Sequence, residues 1–150
     1  MKSMFQIIAT LACALFLTAC GGSDDEAAAI VPVTMSKTDL AVGTGSSEAV
    51  NGDMVTVAYT GWLYDSTKTD GKGAQFDQAT AASPFTFQLG KGVGAGAVIA
   101  GWDQGVVGMR VGGKRRLVIP PGLAYGSAAQ GGIPANSTLV FDIEVLAIKH

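Results

Sequence analysis

VIAGWDQGVVGMRVGGKRRLVIPPGLAYG (Val98–Gly126), followed by GGIPANSTLVFDIEVL (Gly131–Leu146), is the part of the chain that decides its fold. Val98, Trp102 and Val106 recur at i, i+4 and i+8 with Ile99 beside them. That spacing predicts a short helix over 98–106 with one apolar face. Gly105 and Gly108 limit its length. Gly113–Ile119 reads as a strand ended by Pro120-Pro121, with Lys114, Arg115 and Arg116 as its polar end. Leu123–Pro134 reads as a loop carrying the lone Tyr125. Leu139–Ile148 alternates: Leu139, Phe141, Ile143 and Val145 face one way, Asp142 and Glu144 the other.

Upstream, Met54–Leu63 is a second alternating strand, with Val55, Val57 and Tyr59 on one face and Thr56, Ala58 and Thr60 on the other. Tyr64–Gln75 is polar and glycine-containing, which predicts an exposed loop or a wide hairpin connection. Phe85–Leu89 follows Pro84 as a short strand. Gly90–Ala97 (GKGVGAGA) has a glycine at every second position and is expected to be mobile. No internal repeat or second core is evident, so one domain is placed over about 31–150. The fold class is α+β, a twisted antiparallel sheet half wrapped round one short helix.

Composition narrows the chemistry. The 150 residues include Cys13, Cys20 and the single His150. A disulfide scaffold and an ordinary zinc site are excluded. Nucleophilic catalysis through a histidine is disfavoured, because a histidine at the chain end is rarely fixed in place. Net charge is −2 with no basic block longer than Lys114-Arg115-Arg116, which argues against a nucleic-acid partner. What remains abundant is aromatic and branched apolar side chains, the material of a dry, concave pocket.

Residues 1–19 read as a secretory signal, with Lys2 as its basic region and Phe5–Leu17 as its apolar run. Leu17-Thr18-Ala19-Cys20 resembles a bacterial lipobox, which predicts lipidation at Cys20 and a membrane anchor of more than one acyl chain. Cys13 falls in the discarded segment. Removing Lys2 from a chain of net charge −2 leaves −3. Residues 20–30 then form the lipidated cysteine and a small, acidic tether, GGSDDEAAA over Gly21–Ala29. Gly21 is not the Asp of an inner-membrane retention signal, so the periplasmic face of the outer membrane is the expected place.

The stretches VTVAYTGWLYD, QFD, PFTFQLG, VIAGWDQGVVGMRVGGKRRLVIPPGLAYG and IPANSTLVFDIEVL, in that order, resemble the FKBP family of peptidyl-prolyl cis–trans isomerases. The likeness spans roughly Asp39–Ile148. It implies a half-barrel of antiparallel strands around one helix, with the active site between them. It implies Trp102 as pocket floor, and Tyr59, Phe85 and Phe141 as walls. Phe76 and Asp77 match the family's Phe-Asp pair. Val98 and Ile99 match the pair before Gly-Trp, with the Ile99 N–H holding a substrate carbonyl. Tyr125 matches the loop tyrosine whose hydroxyl holds another, and Ile133 matches an apolar residue on the far loop. The resemblance thus implies Tyr59, Phe76, Asp77 and Tyr125 as catalytic, and Phe85, Val98, Ile99, Trp102, Ile133 and Phe141 as substrate-binding. Proline-containing polypeptides are the implied substrates and the family's macrolides the implied inhibitors, with no cofactor and no metal. Binding without turnover, as a chaperone-like module or an inactive surface protein, stays open.

Two departures bear on substrate choice, and a third on the contacts of its own loop. Tyr64–Gln75 is longer than in small members of the family, Gly92–Ala97 adds residues beside the pocket, and the loop from Tyr125 to Ile133 is slightly short. Asp103 is expected on the solvent side of the helix, and Trp62 and Tyr64 carry no expected role.

Overall fold

The strand β2 (Met54–Tyr64) organises the sheet, because it pairs along both of its edges. The computed structural model describes residues 33–92 and 94–150, so the leader, Cys20 and the tether expected over 1–30 lie outside the described residues. Val55 and Val57 of β2 are fully buried, as period-two alternation requires of a strand with one face in the core. β6 (Leu139–Lys149) runs antiparallel to β2, from Met54 opposite Lys149 to Leu63 opposite Leu139. β5 (Lys114–Ile119) pairs with β6, and β1 (Ser36–Ala41) pairs with β5. β2's other edge is shared. β3 (Lys72–Ala79) takes the Tyr59–Tyr64 half and β4 (Phe85–Gln88) the Met54–Val57 half. The Ser83 N–H donates to the Thr80 carbonyl at 3.0 Å and closes the turn between them. All pairings are antiparallel, and no pairing joins β1 to β3, so the sheet stays open.

One helix, α1 (Ala100–Val106), covers the inner face. Its buried Trp102 and Val106 join Val55, Phe87, Leu117, Ile119 and Ile143 in one apolar core. Two glycines four residues apart share a helical face. A Cβ at Gly101 would lie 2.4 Å from Ile119 Cγ2, and one at Gly105 would lie 2.3 Å from Leu117 Cδ1. Their absent side chains let α1 lie directly on β5. The helix carries no basic residue in its last turn. Arg115 supplies one from the sheet, donating to Gly105 O at 2.7 Å and Val107 O at 3.1 Å while pairing with Asp39 at 2.5 Å. These bonds satisfy carbonyls that a helix end leaves open.

The structure corrects the sequence reading at four places. β1 was not expected, since all six of its residues are exposed and SKTDLA has no apolar alternation. Lys72–Gln75 is strand, so the connection shrinks to 65–71, where the Thr67 N–H and hydroxyl donate to Asp65 Oδ1 at 2.9 and 2.6 Å. The helix begins at Ala100, leaving Val98 and Ile99 in the segment before it. His150 is held, its Nδ1 lying 2.9 Å from Asp53 Oδ1.

Candidate active site

β2 points Tyr59 inward beside Phe141 of β6, with ring centroids 6.1 Å apart. Opposite Gly61 the register places Asp77 on β3 and Phe141 on β6. A Cβ on Gly61 would lie 2.8 Å from both Phe141 Cε1 and Phe76 Cζ. The glycine thereby lets those rings meet edge to face at 5.6 Å. α1 brings Trp102 under them. Its indole lies 4.9 Å from Tyr59, 5.3 Å from Phe141 and 5.4 Å from Phe87, each in an edge-on arrangement. Phe85 stacks on Phe87 at 5.9 Å and remains part-exposed at the rim.

Above this floor opens a cavity of about 830 Å³. Tyr59, Phe76, Asp77, Phe85, Val98, Ile99, Trp102, Tyr125 and Phe141 all line it. Ile133 does not. It is buried in the core at 6% exposure, and its loop neighbour Gln130, which holds it through two backbone bonds, faces the cavity instead. Gly92, Gly94, Ala97, Ala100 and Ala124 complete the wall. Motif matching missed these because small side chains carry no chemical signature, although the extra glycines beside the pocket marked their segment.

The polar groups are few. The Tyr59 hydroxyl donates to Asp77 Oδ2 at 2.5 Å, and the Gln78 N–H donates to Asp77 Oδ1 at 2.8 Å. Burial pushes the Tyr59 phenol well above its ordinary range, and the hydrogen bond and charge of Asp77 push it further. Burial, then the same carboxylate, pushes the Tyr125 phenol up as well. Both phenols therefore stay protonated and remain donors at neutral pH. The Tyr125 hydroxyl and the Ile99 N–H have no hydrogen-bond partner among the described residues. Among the described residues, Trp102 Nε1 is buried without a hydrogen-bond acceptor. Asp103 is partly exposed, as expected of the solvent side of the helix, and its carboxylate also accepts from Gly90 and Gly92. Trp62 lies outside this cavity, its ring 4.0 Å from Lys72 Nζ. Among the described residues no group of His, Cys, Asp and Glu converges to hold a metal.

A family model described as FKBP-type peptidyl-prolyl cis-trans isomerase matches residues 45–146. The chain belongs to this family. FK506-binding protein 4 of Neurospora crassa is 52% identical to this FKBP-type chain over 111 residues, covering 74% of the chain and 21% of that protein. FK506-binding protein 4 of Chaetomium thermophilum is also 52% identical over 111 residues, covering 20% of that protein. FK506-binding protein 1 of Aspergillus oryzae is 47% identical over 109 residues, covering 71% of the chain and 91% of that protein. The chain thus spans about a fifth of the length of the first two relatives and nearly all of the third.

These relatives are fungal, which overturns the expectation of a bacterial lipoprotein on the periplasmic face of the outer membrane. That expectation rested on Lys2 and the Phe5–Leu17 apolar run, with Leu17–Cys20 as the lipobox-like pattern and Gly21 after it. Small and apolar residues ending in a cysteine arise readily inside any apolar run. Among the described residues no helix is long and apolar enough to cross a membrane.

Proposed function

We propose that the cavity accelerates rotation about Xaa-Pro bonds in polypeptides by holding the prolyl amide out of water, and that the domain over 31–150 carries this activity. The carrying observation is an aromatic cavity floored by Trp102, with Tyr59, Asp77 and Tyr125 as its sparse polar edge. Rotation must cross a barrier of roughly 18–20 kcal/mol set by amide resonance. In the planar amide, resonance makes the carbonyl polar, and water stabilises it. At the twisted transition state that polarity falls. An apolar enclosure withholds the hydrogen bonds of water from the planar form and so favours the twisted one.

In this reading the proline ring rests on the Trp102 indole between Tyr59, Phe85 and Phe141. The Ile99 N–H and the Tyr125 hydroxyl donate to substrate carbonyls on either side. Tyr59 holds Asp77 toward the twisting bond, and Phe76 packs on Phe141 behind it. No bond breaks and no proton moves. Each tenfold in rate requires only about 1.4 kcal/mol, so shape, desolvation and two placed donors suffice for several such steps. Proline-containing polypeptides undergoing folding are the substrates, and the family's macrolides occupy the same cavity.

The test is isomerisation of short Xaa-Pro peptides by the full chain, with and without such a macrolide. Turnover abolished by the macrolide is expected. Peptide binding without turnover in a folded chain would instead make this a binding module.

A further inference from the structure

We propose that Asp103 is a positioning residue that sets which side chains are accepted beside the substrate proline, by fixing the glycine rim of the cavity. The inference rests on the isomerase reading and deepens it. Asp103 directly follows Trp102 on α1, so one turn of helix carries both the pocket floor and this carboxylate. Its Oδ1 accepts the Gly90 N–H at 2.7 Å, and its Oδ2 accepts the Gly92 N–H at 3.4 Å. The segment held in this way supplies Gly92, Gly94 and Ala97 to the cavity wall.

That segment needs an anchor. Gly90, Gly92, Gly94 and Gly96 have φ of 75°, 76°, 103° and 78°, all in the left-handed region. Glycine reaches that region without steric cost but loses more conformational freedom on ordering than any other residue. Among the described residues, the segment's other hydrogen bonds are local: Lys91 Nζ donates to Ala95 O at 2.6 Å and the Ala97 N–H donates to Gly94 O at 3.0 Å. Among the described residues, only the Asp103 hydrogen bonds join Gly90–Ala97 to α1.

Gly92, Gly94 and Ala97 present backbone and one methyl group to the cavity, and a Cβ at Gly92 or Gly94 would project into open space. A bulky residue flanking proline can therefore lie against this wall. A held rim offers that surface ready-made. A loosened rim must be ordered by the substrate, and ordering costs affinity. The loss falls on substrates large enough to touch the rim and appears in KM.

The experiment compares wild type, Asp103→Ala and Asp103→Asn in the full chain, using Xaa-Pro peptides with Ala, Leu or Phe before proline. It measures kcat, KM and amide hydrogen exchange at Gly90 and Gly92. In Asp103→Ala, kcat/KM should fall about tenfold for the Leu and Phe peptides through KM, and less than about threefold for the Ala peptide. Gly90 and Gly92 should exchange faster. Asp103→Asn keeps a carbonyl acceptor and should fall between. Ala97→Leu fills the rim while leaving Asp103 in place, and should turn preference toward the Ala peptide. This variant and Asp103→Asn decide the question if Asp103→Ala fails to fold. An equal fall for all peptides, or an unchanged selectivity in these variants, overturns the proposal. Absence of turnover by the wild-type chain on every peptide overturns the isomerase reading itself, and this inference with it.

Discussion

Among the described residues, Tyr59 and Asp77 form the one hydrogen-bonded side-chain pair lining the aromatic cavity, at 2.5 Å. A hydrogen bond to a charged acceptor is worth about 1.5–3 kcal/mol. If the pair acts only once the amide has twisted, Tyr59→Phe should lower kcat by about tenfold to a hundredfold with KM little changed. Steady-state kinetics on one peptide check this, and an equal loss carried by KM would make the pair a binding feature. Asp77→Leu should follow the same pattern, whereas Tyr125→Ala removes a donor to a substrate carbonyl and should raise KM as well. Because burial and the Asp77 charge raise both phenols, their protonated state persists above the ordinary tyrosine range. The rate should therefore stay level from neutral pH up to that range and decline only beyond it, as a pH–rate profile will show.

At the scale of elements, α1 lies on β5 through Gly101 and Gly105, where a methyl group meets Ile119 or Leu117. Gly105→Ala improves helix propensity yet overpacks the core, and overpacking costs about 1–3 kcal/mol. A lower denaturant midpoint with an unchanged slope is the expected outcome. The elements also show what periodicity reveals. β2, β6 and α1 were legible because each buries one face, and that leaves alternation or helical spacing in the residues. β1 buries no residue, so SKTDLA carries no such mark, and its place is set by backbone pairing with β5. Lys72–Gln75 hid for a related reason: Lys72 and Gln75 are polar and Gly73 has no side chain, since a Cβ there would meet the Leu63 carbonyl at 2.8 Å, so the stretch reads as loop. The aromatic site residues were legible through ordered motifs. Ile133 instead joined the core, and Gly92, Gly94 and Ala97 offer the cavity only backbone and one methyl group, which no chemical motif announces.

Across the whole molecule, Asp142 ties three strands together. It sits on β6 and pairs with Arg116 of β5 and Lys72 of β3, both at 2.7 Å. Burial alone would raise its carboxyl, but the guanidinium and ammonium outweigh that and hold it below the ordinary value. A depressed folded-state pKa contributes stability above the unfolded pKa of about 4, and that contribution is lost as pH falls through the folded value. Denaturant unfolding between about pH 2 and 6 should show this acid loss. Asp142→Asn should flatten it while lowering stability at neutral pH, since both cations then lack their counter-charge. A second consequence concerns the order in which the chain is made. Every partner of β2 follows it in sequence, and its full-length ladder is with β6. Until Leu139–Lys149 is synthesised, MVTVAYTGWLY lacks its longest pairing and the cavity lacks Phe141. Such distant pairings make folding slow, and the waiting strand is exposed to association with other chains. The aromatic cavity therefore closes its Phe141 wall only once β6 has joined the sheet.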